Sequence, residues 1–229
     1  MLLLVIDTSC KNGSVALARV TAGQPEVETI ETVPLVGGTF SAQIVPQVSA
    51  LLAKHGYNKS DLAAFAAVSG PGSFTGLRVG LAAVKALGEV LRKPIAAVSL
   101  LEAVAESGRM RGRVLAALDA GRGEIYAGEY ATGGADGDGH WQMLSERLLG
   151  REELVANAKD RVVVTPDAAL ADALKASGLE VERVDYPNAH VIARLAWTKI
   201  LQGRIVAPEN LEANYIRRSD AEIFSKPKL

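Results

Sequence analysis

The chain has one cysteine, Cys10, and few aromatic residues, which make up 5% of its 229 residues. A single cysteine excludes an internal disulfide and is typical of proteins from a reducing compartment. Acidic and basic residues nearly cancel, to a net charge of -1, so the composition does not supply a broad basic surface for nucleic acid. The sequence therefore predicts a cytoplasmic protein that does not bind nucleic acid through a large surface of its own.

Long apolar runs are missing as well. The opening run, Met1–Ile6, is too short for a signal peptide or a membrane span, and Asp7 follows it directly. We therefore expect a first buried strand and no membrane association. With 48% hydrophobic residues, the chain has enough apolar material for a sizeable core in one large domain or two small ones.

The most informative stretch, residues 67–93, is typical of a buried strand, a Gly-Pro-Gly turn and a long helix that begins near Ser73. Pro71 fixes φ, and the glycines beside it permit backbone angles that a Cβ would forbid, so the turn is sharp. Helix N-termini suit anions, which makes a phosphate site an open interpretation. This turn is not a P-loop, because Leu77 stands after Gly76 where a P-loop has lysine.

Gly76, Gly80 and Gly88 recur at multiples of four along this helix and leave one face nearly bare of side chains. Each glycine costs up to about 1 kcal/mol relative to alanine in a helix. This row of three glycines, which we call the glycine line, therefore needs a packing reason. Two interpretations stay open, namely packing on the chain's own sheet and contact with a second subunit. The second interpretation assigns these residues to a partner interface: Gly72, Phe74, Gly76, Arg78, Val79, Gly80, Ala83, Val84 and Leu87.

The pattern of elements occurs twice. Leu2–Asp7 and Val114–Asp119 are apolar strands that each end in aspartate and lead through a turn into a second strand. In the first hairpin, the pair Asn12-Gly13 is predicted to form the turn. Further strands and helices follow in both halves, including predicted helices over 41–55, 167–176 and 188–202.

This repetition predicts an α/β, duplicated actin/sugar-kinase-like (ASKHA, ribonuclease H-like) fold. Its lobes are expected at residues 1–109 and 110–229, each with a mixed sheet flanked by helices. In that architecture the paired hairpins cradle phosphates. Asp7 is then either a cap for the turn amides or a group aimed at a ligand or metal. The candidate nucleotide or phosphate residues are Asp7, Thr8, Ser9, Asp119 and Arg122.

Known catalytic patterns are not recognisable in the sequence. The histidines at 55, 140 and 190 stand in unrelated segments without a second ligand at metal spacing. Cys10 has no histidine near it in sequence, and Ser69 and Ser73 are outside a Gly-x-Ser-x-Gly context. We therefore expect no catalytic residue and no metal site.

Several segments together resemble the bacterial TsaB (YeaZ) family of tRNA threonylcarbamoyladenosine biosynthesis. They are SGPGSFTGLRVG at 69–80, the opening IDTS and SVALA, the later LDAGRGEIYAGEY, and the C-terminal ANYIRR at 213–218. The resemblance covers the first 130 residues well, whereas residues 131–205 match only in outline.

The resemblance implies a non-catalytic subunit that pairs with the catalytic paralogue TsaD through the small-residue helix and its neighbour. With the ATPase TsaE, the pair modifies tRNA, so tRNA would meet this chain through the complex. A homodimer is implied when the partner is absent. TsaD carries its metal on a His-x3-His helix, and the corresponding segment here, Phe40–Leu52, has no histidine. No cofactor is implied as a requirement, and vestigial ATP or ADP binding is left open.

Two other functions stay open. One is an ATPase or kinase of the same fold that uses Asp7 and Asp119. The other is a peptidase, as older names of the family suggest, although the sequence offers neither a metal triad nor a nucleophile with its base.

Overall fold

The computed structural model describes residues 1–110, 112–132, 141–158 and 160–217. The chain folds as two compact units. The first comprises Met1–Ala103 and Tyr186–Ala213, and the second comprises Val104–Asp185 and the chain from Asn214 onward. Most of the Gly/Asp-rich segment predicted over 132–139, together with His140 and Arg218, lies outside the described residues.

The first unit is built on a five-stranded sheet with the order β3-β2-β1-β4-β5. The first three strands are antiparallel neighbours, whereas β4 and β5 continue the sheet in parallel with β1. Helices cover the sheet, and α1 has the predicted apolar stripe of Ile44, Val48, Leu51 and Leu52 in the core. The elements are β1 (Leu2–Asp7), β2 (Asn12–Val20), β3 (Val27–Val36), α1 (Phe40–Lys54), β4 (Leu62–Gly70), α2 (Phe74–Leu91), β5 (Ile95–Ser99) and α3 (Leu100–Ser107).

The second unit repeats this plan. Its five strands have the order β10-β9-β6-β7-β8, with β6–β8 antiparallel and β9 and β10 parallel to β6. Because strand order and direction match those of the first sheet, the predicted duplicated ASKHA, ribonuclease H-like fold is confirmed. The elements are β6 (Arg113–Gly121), β7 (Glu124–Thr132), β8 (Trp141–Gly150), α4 (Arg151–Asn157), β9 (Val162–Thr165), α5 (Ala168–Ala176), β10 (Val181–Arg183) and α6 (Ala189–Leu201).

The predicted lobe boundary is wrong for one segment. Residues 186–213 had been assigned to the second lobe, but α6 packs against β3 and β5 of the first sheet. Lys199 on α6 donates to Glu102 Oε2 at 2.5 Å and to the Ala97 carbonyl at 2.9 Å, and both side chains of this ion pair are largely buried. Helical periodicity predicts a buried face but does not say which sheet covers it.

The first hairpin also differs from the prediction, because residues 8–11 connect the strands and Asn12-Gly13 already belongs to β2. Asp7 pairs with Ser14 in the ladder. A Cβ on Gly13 would lie 2.7 Å from the Asp7 carbonyl oxygen and 2.9 Å from the Phe40 ring. Glycine is therefore required at this position by close packing rather than by a turn.

The glycine line of α2 faces inward. A Cβ on Gly76 would overlap the Thr8 carbonyl oxygen, and a Cβ on Gly80 would overlap the Thr8 hydroxyl. Gly76, Gly80 and Val84 are buried within the first unit, so their assignment to an exposed partner interface is wrong. The other predicted interface residues, Gly72, Phe74, Arg78, Val79, Ala83 and Leu87, are half-buried or exposed, and their role stays a prediction.

The close approach at Gly76 predicts that Gly76→Ala destabilises the protein. Alanine is the better helix former, but its methyl group would collide with backbone, which cannot rotate away. We expect the free energy of unfolding to fall by about 2 kcal/mol in urea denaturation. Ala82→Gln, on the exposed side of the same helix, should change it by less than about 0.5 kcal/mol. An unfolding midpoint at or above that of the wild type for Gly76→Ala would contradict this packing.

Candidate functional site

The first hairpin turn holds a buried carboxylate. Asp7 Oδ1 accepts hydrogen bonds from the Ser9 amide at 2.9 Å and from the Ser9 hydroxyl at 2.6 Å. Burial raises the pKa of Asp7 above its usual 3.8, while the two bonds from Ser9 act in the opposite direction. Asp7 thus acts as a cap of its own turn, one of the two roles open from the sequence.

Helix α2 holds this turn from the other side. Thr8 Oγ1 donates to the Gly76 carbonyl at 2.8 Å, and the Ser73 amide donates to the Ser9 carbonyl at 2.6 Å. Ser73 caps α2 by accepting from the Gly76 amide at 3.2 Å. The side chains of the three predicted phosphate residues of the first unit are thus engaged within the protein. Their role toward a nucleotide stays a prediction.

The second hairpin repeats the cap. Asp119 Oδ1 accepts from the Gly121 amide at 2.9 Å, two residues ahead, as Asp7 accepts from Ser9. Arg122 and Gly123 form the two-residue turn, both with positive φ, at 58° and 78°. Positive φ at both central residues is what a type I′ hairpin turn requires. Arg122 is exposed on this turn.

A cleft of about 320 Å³ lies beside the second hairpin. Its lining includes the carboxylates of Asp119, Glu124 and Asp167 and one basic side chain, Arg151. The Asp119 amide donates to Asp167 Oδ2 at 2.7 Å. Sequence reasoning missed Asp167, although an acid between a buried strand and a helix was a readable signal. Arg217 forms an ion pair with Glu124, so Arg217 and the lining arginine offset part of the negative charge of the cleft.

A larger cleft of about 620 Å³ lies in the first unit, and we call it the α1–α2 cleft. It is formed by the first hairpin turn, the β3–α1 loop and the N-terminal turns of both helices. Sequence reasoning missed it because its walls come from three distant segments. Its lining residues are Cys10, Lys11, Asn12, Val36, Gly37, Gly38, Phe40, Ser41, Ser73, Thr75, Gly76 and Val79.

Residues of the usual catalytic types make other contacts. His55 Nε2 lies 2.8 Å from Glu31, His190 Nδ1 lies 3.1 Å from the Thr29 hydroxyl, and Cys10 Sγ lies 2.8 Å from the Tyr186 hydroxyl. Within the described ranges, the histidine, cysteine, aspartate and glutamate side chains do not form a cluster of three or more that could hold a metal. Of the helices described, none is long and apolar enough to span a membrane.

The burial of Asp7 predicts a pH-dependent effect of Asp7→Asn. A pKa raised by folding favours the protonated acid, so the wild type loses stability as the pH rises from 3.8 through the raised native pKa. Asparagine accepts the same bonds without a charge. The stability of Asp7→Asn relative to wild type should therefore increase across that window, by at most about 1.4 kcal/mol per pH unit. Urea denaturation over a pH series measures it.

Ser9→Ala should act in the opposite sense, because it removes the hydroxyl that stabilises the carboxylate. Its loss of stability relative to wild type should grow as the pH rises. A pH-independent difference between Asp7→Asn and wild type would show that folding does not raise the pKa of Asp7.

The chain is similar in sequence to known proteins of tRNA threonylcarbamoyladenosine biosynthesis. The family model described as TsaD, tRNA N6-adenosine threonylcarbamoyltransferase, matches residues 34–142. The Escherichia coli "tRNA threonylcarbamoyladenosine biosynthesis protein TsaB" is 32% identical over 96% of both chains. The Haemophilus influenzae protein of the same name is 28% identical over 94% of this chain and 93% of its own.

Solved structures show the same relationship. "YeaZ from Pseudomonas aeruginosa" superposes with a TM-score of 0.71 at 26% identity, over 93% of this chain and 99% of its own. A second Pseudomonas aeruginosa structure, titled an uncharacterized protein with similarity to peptidase YEAZ, reaches a TM-score of 0.73 at 27% identity, over 94% and 99%. Full-length similarity in both sequence and fold establishes that this chain belongs to the TsaB (YeaZ) family of tRNA threonylcarbamoyladenosine biosynthesis proteins.

Proposed function

We propose that this chain is a non-catalytic subunit of the tRNA threonylcarbamoyladenosine machinery, which binds and activates a TsaD-like threonylcarbamoyltransferase. Family membership supports the pathway. The match of residues 34–142 to the TsaD model supports a common ancestry with the catalytic partner. We further propose that a TsaE-like ATPase joins the complex, that tRNA reaches the chain through it, and that the complex works in the cytoplasm.

The observation that carries the proposal is that exposed small and apolar side chains lie on the outward sides of α1 and α2, two helices that pack side by side. Val45 on α1 is 63% exposed and Val90 on α2 is 76% exposed. Ala82 and Ala86, one helical turn apart on α2, are exposed between charged residues. Small side chains permit a partner helix to approach closely, and burial of this face would stabilise a complex by about 25 cal/mol per Å2 before the costs of association.

The proposed interface thus lies on the opposite side of α2 from the buried glycine line. Of the half-buried and exposed members of the predicted set, it keeps those on α2 at its edges, namely Phe74, Arg78, Val79, Ala83 and Leu87, whereas Gly72 precedes the helix. Arg78 stacks over the Phe74 ring at 3.8 Å from the ring centroid, which places a positive charge at the N-terminal end of the face. A second copy of this chain would use the same face when the partner is absent.

The alternative is an ATPase or kinase that uses Asp7 and Asp119. Both aspartates accept hydrogen bonds from their own turns, and Asp7 is buried. This alternative requires magnesium-dependent nucleotide turnover that is lost in Asp7→Asn. The subunit proposal requires neither bound ATP nor bound ADP.

Ala82→Arg tests the proposed interface. A charged side chain at the centre of an apolar contact should weaken association with the TsaD-like protein by roughly 30-fold, or about 2 kcal/mol, while the monomer stays folded. Size-exclusion chromatography measures association, and threonylcarbamoyl transfer to tRNA by the TsaD-like and TsaE-like proteins, with and without this chain, measures activation.

Ala176→Arg is the matched control, since Ala176 is an exposed alanine on α5 in the second unit. It should leave both association and transfer unchanged. Full association of the folded Ala82→Arg variant would exclude this face as the interface. Transfer that does not depend on the wild-type chain would exclude the activating role.

A further inference from the structure

We propose that the last described residues of the chain, Asn214–Arg217, act as a latch over a peptide-binding groove of the second unit. In this structure the latch itself fills the groove. When the latch detaches, the groove binds an arginine-bearing segment of another protein. The groove lies in the second unit, whereas the proposed partner face lies on α1 and α2 of the first, so the two proposals stand independently of each other.

One face of β7 and β8 forms the groove. Residues opposite each other in an antiparallel pair point to the same side of the sheet, and Tyr126 pairs with Leu148 and Gly128 with Glu146. The alternate residues of both strands point the other way, into the core under α4 and α5. Because Gly128 lacks a side chain, there is room on this face between Tyr126 and Tyr130.

Two side chains of the latch bind acids of the groove. Asn214 donates to Glu146 Oε2, and Arg217 forms an ion pair with Glu124. Along β7, Glu124 lies four residues, or about 13 Å, from Gly128, which is the ladder partner of Glu146. The two acids are therefore well separated, and the latch runs lengthwise along the strands between them.

The arginine of the latch has several partners in the groove. Besides Glu124, its guanidinium group donates to the Ala120 carbonyl at 2.8 Å. Tyr126 also lies beside it, since burial raises the pKa of Tyr126 and the charge of Arg217 acts in the opposite direction. The planar fork of a guanidinium suits paired oxygen acceptors better than the ammonium group of lysine does. The groove therefore favours arginine.

The latch can detach while the sheet beneath it stays folded. Residues 211–217 lie outside helices and strands, and Leu211, which is buried in the core of the first unit, fixes the chain just before the latch. The side chains of Arg217 and Glu124 are 23% and 39% exposed. Partly exposed ion pairs contribute little to stability, and segments with few buried apolar contacts open locally before the whole protein unfolds.

Detachment of the latch changes the charge of the groove. Glu124 also lines the acidic cleft beside the second hairpin, which holds two aspartates, so removal of Arg217 leaves this region more negative. Tyr126 and Leu148 are half-buried and give the groove an aromatic and an apolar wall. Carboxylates beside an aromatic ring suit an arginine side chain, which is what the latch supplies here. The open groove thus fits an arginine-bearing peptide segment.

Binding of a separate copy of the latch tests the proposal. The probe is a fluorescein-labelled peptide of residues 212–217, Glu-Ala-Asn-Tyr-Ile-Arg, and fluorescence anisotropy measures its binding to the full chain. In the wild type the attached latch competes at a high effective concentration. The full-length double variant Asn214→Ala/Arg217→Ser lacks this competitor, so we expect it to bind the peptide at least tenfold more tightly than the wild type does.

Matched controls locate the peptide and test its specificity. A peptide with glutamine in place of its arginine should bind the double variant at least fivefold more weakly. Glu124→Gln, added to the double variant, should weaken binding of the arginine peptide at least fivefold. Glu180→Gln, at an exposed acid of the second unit outside the groove, should leave it unchanged. Urea denaturation shows that each variant is folded.

Equal affinity of the peptide for the wild type and the folded double variant, or no binding to either at millimolar concentration, would overturn the proposal. Equal binding of the arginine and glutamine peptides would do the same, because the groove would then not select arginine. Equal effects of Glu124→Gln and Glu180→Gln would place the peptide elsewhere. If the double variant does not fold, Asn214→Ala alone replaces it, with an expected gain in affinity of at least threefold.

Discussion

The contact between α2 and the first hairpin turn is the constraint on which the rest of the first unit depends. Gly76 and Gly80 bring the helix against Thr8 so closely that a methyl group would not fit. Hydrogen bonds from Thr8 to the Gly76 carbonyl and from the Ser73 amide to the Ser9 carbonyl run across the same contact. The turn, the strand that carries Asp7 and the start of α2 are thereby fixed as one body. The outward face of α2 and the α1–α2 cleft both take their position from it.

The sequence predicted the fold well because each half carries strong local signals. The first apolar strand ends at Asp7 as expected, and the second runs two residues beyond Asp119. The helix stripe at Ile44, Val48, Leu51 and Leu52 and the repeated order of elements appear where they were expected. Local signals do not specify long-range packing, and this is where the predictions were wrong. Residues 186–213 join the first sheet, and the glycine line of α2 contacts that sheet rather than solvent. A helix wheel shows that one face is bare, but it does not show what lies against it.

The candidate site was predictable in part. The two aspartates could be found because each directly follows a run of buried apolar residues, and in both the carboxylate accepts from the amide two residues ahead. The clefts beside them could not be found, since residues from separate segments line each one. Both hairpins keep the aspartate that accepts from the amide two residues ahead, while the connections and the charges around them differ. Lys11 lines the cleft of the first unit, and Asp119, Glu124 and Asp167 line that of the second.

The return of α6 to the first sheet has a consequence for synthesis of the protein on the ribosome. The helix buries Ile192, Ala193, Ala196 and Trp197, and it packs against β1, β2, β3 and β5, all of which belong to the first 103 residues. Those strands leave the ribosome long before α6 does. One apolar face of the first sheet therefore stays uncovered until the whole second sheet and then α6 have been translated. The two halves of the sequence repeat one plan, but the first sheet is completed by a helix from the second half.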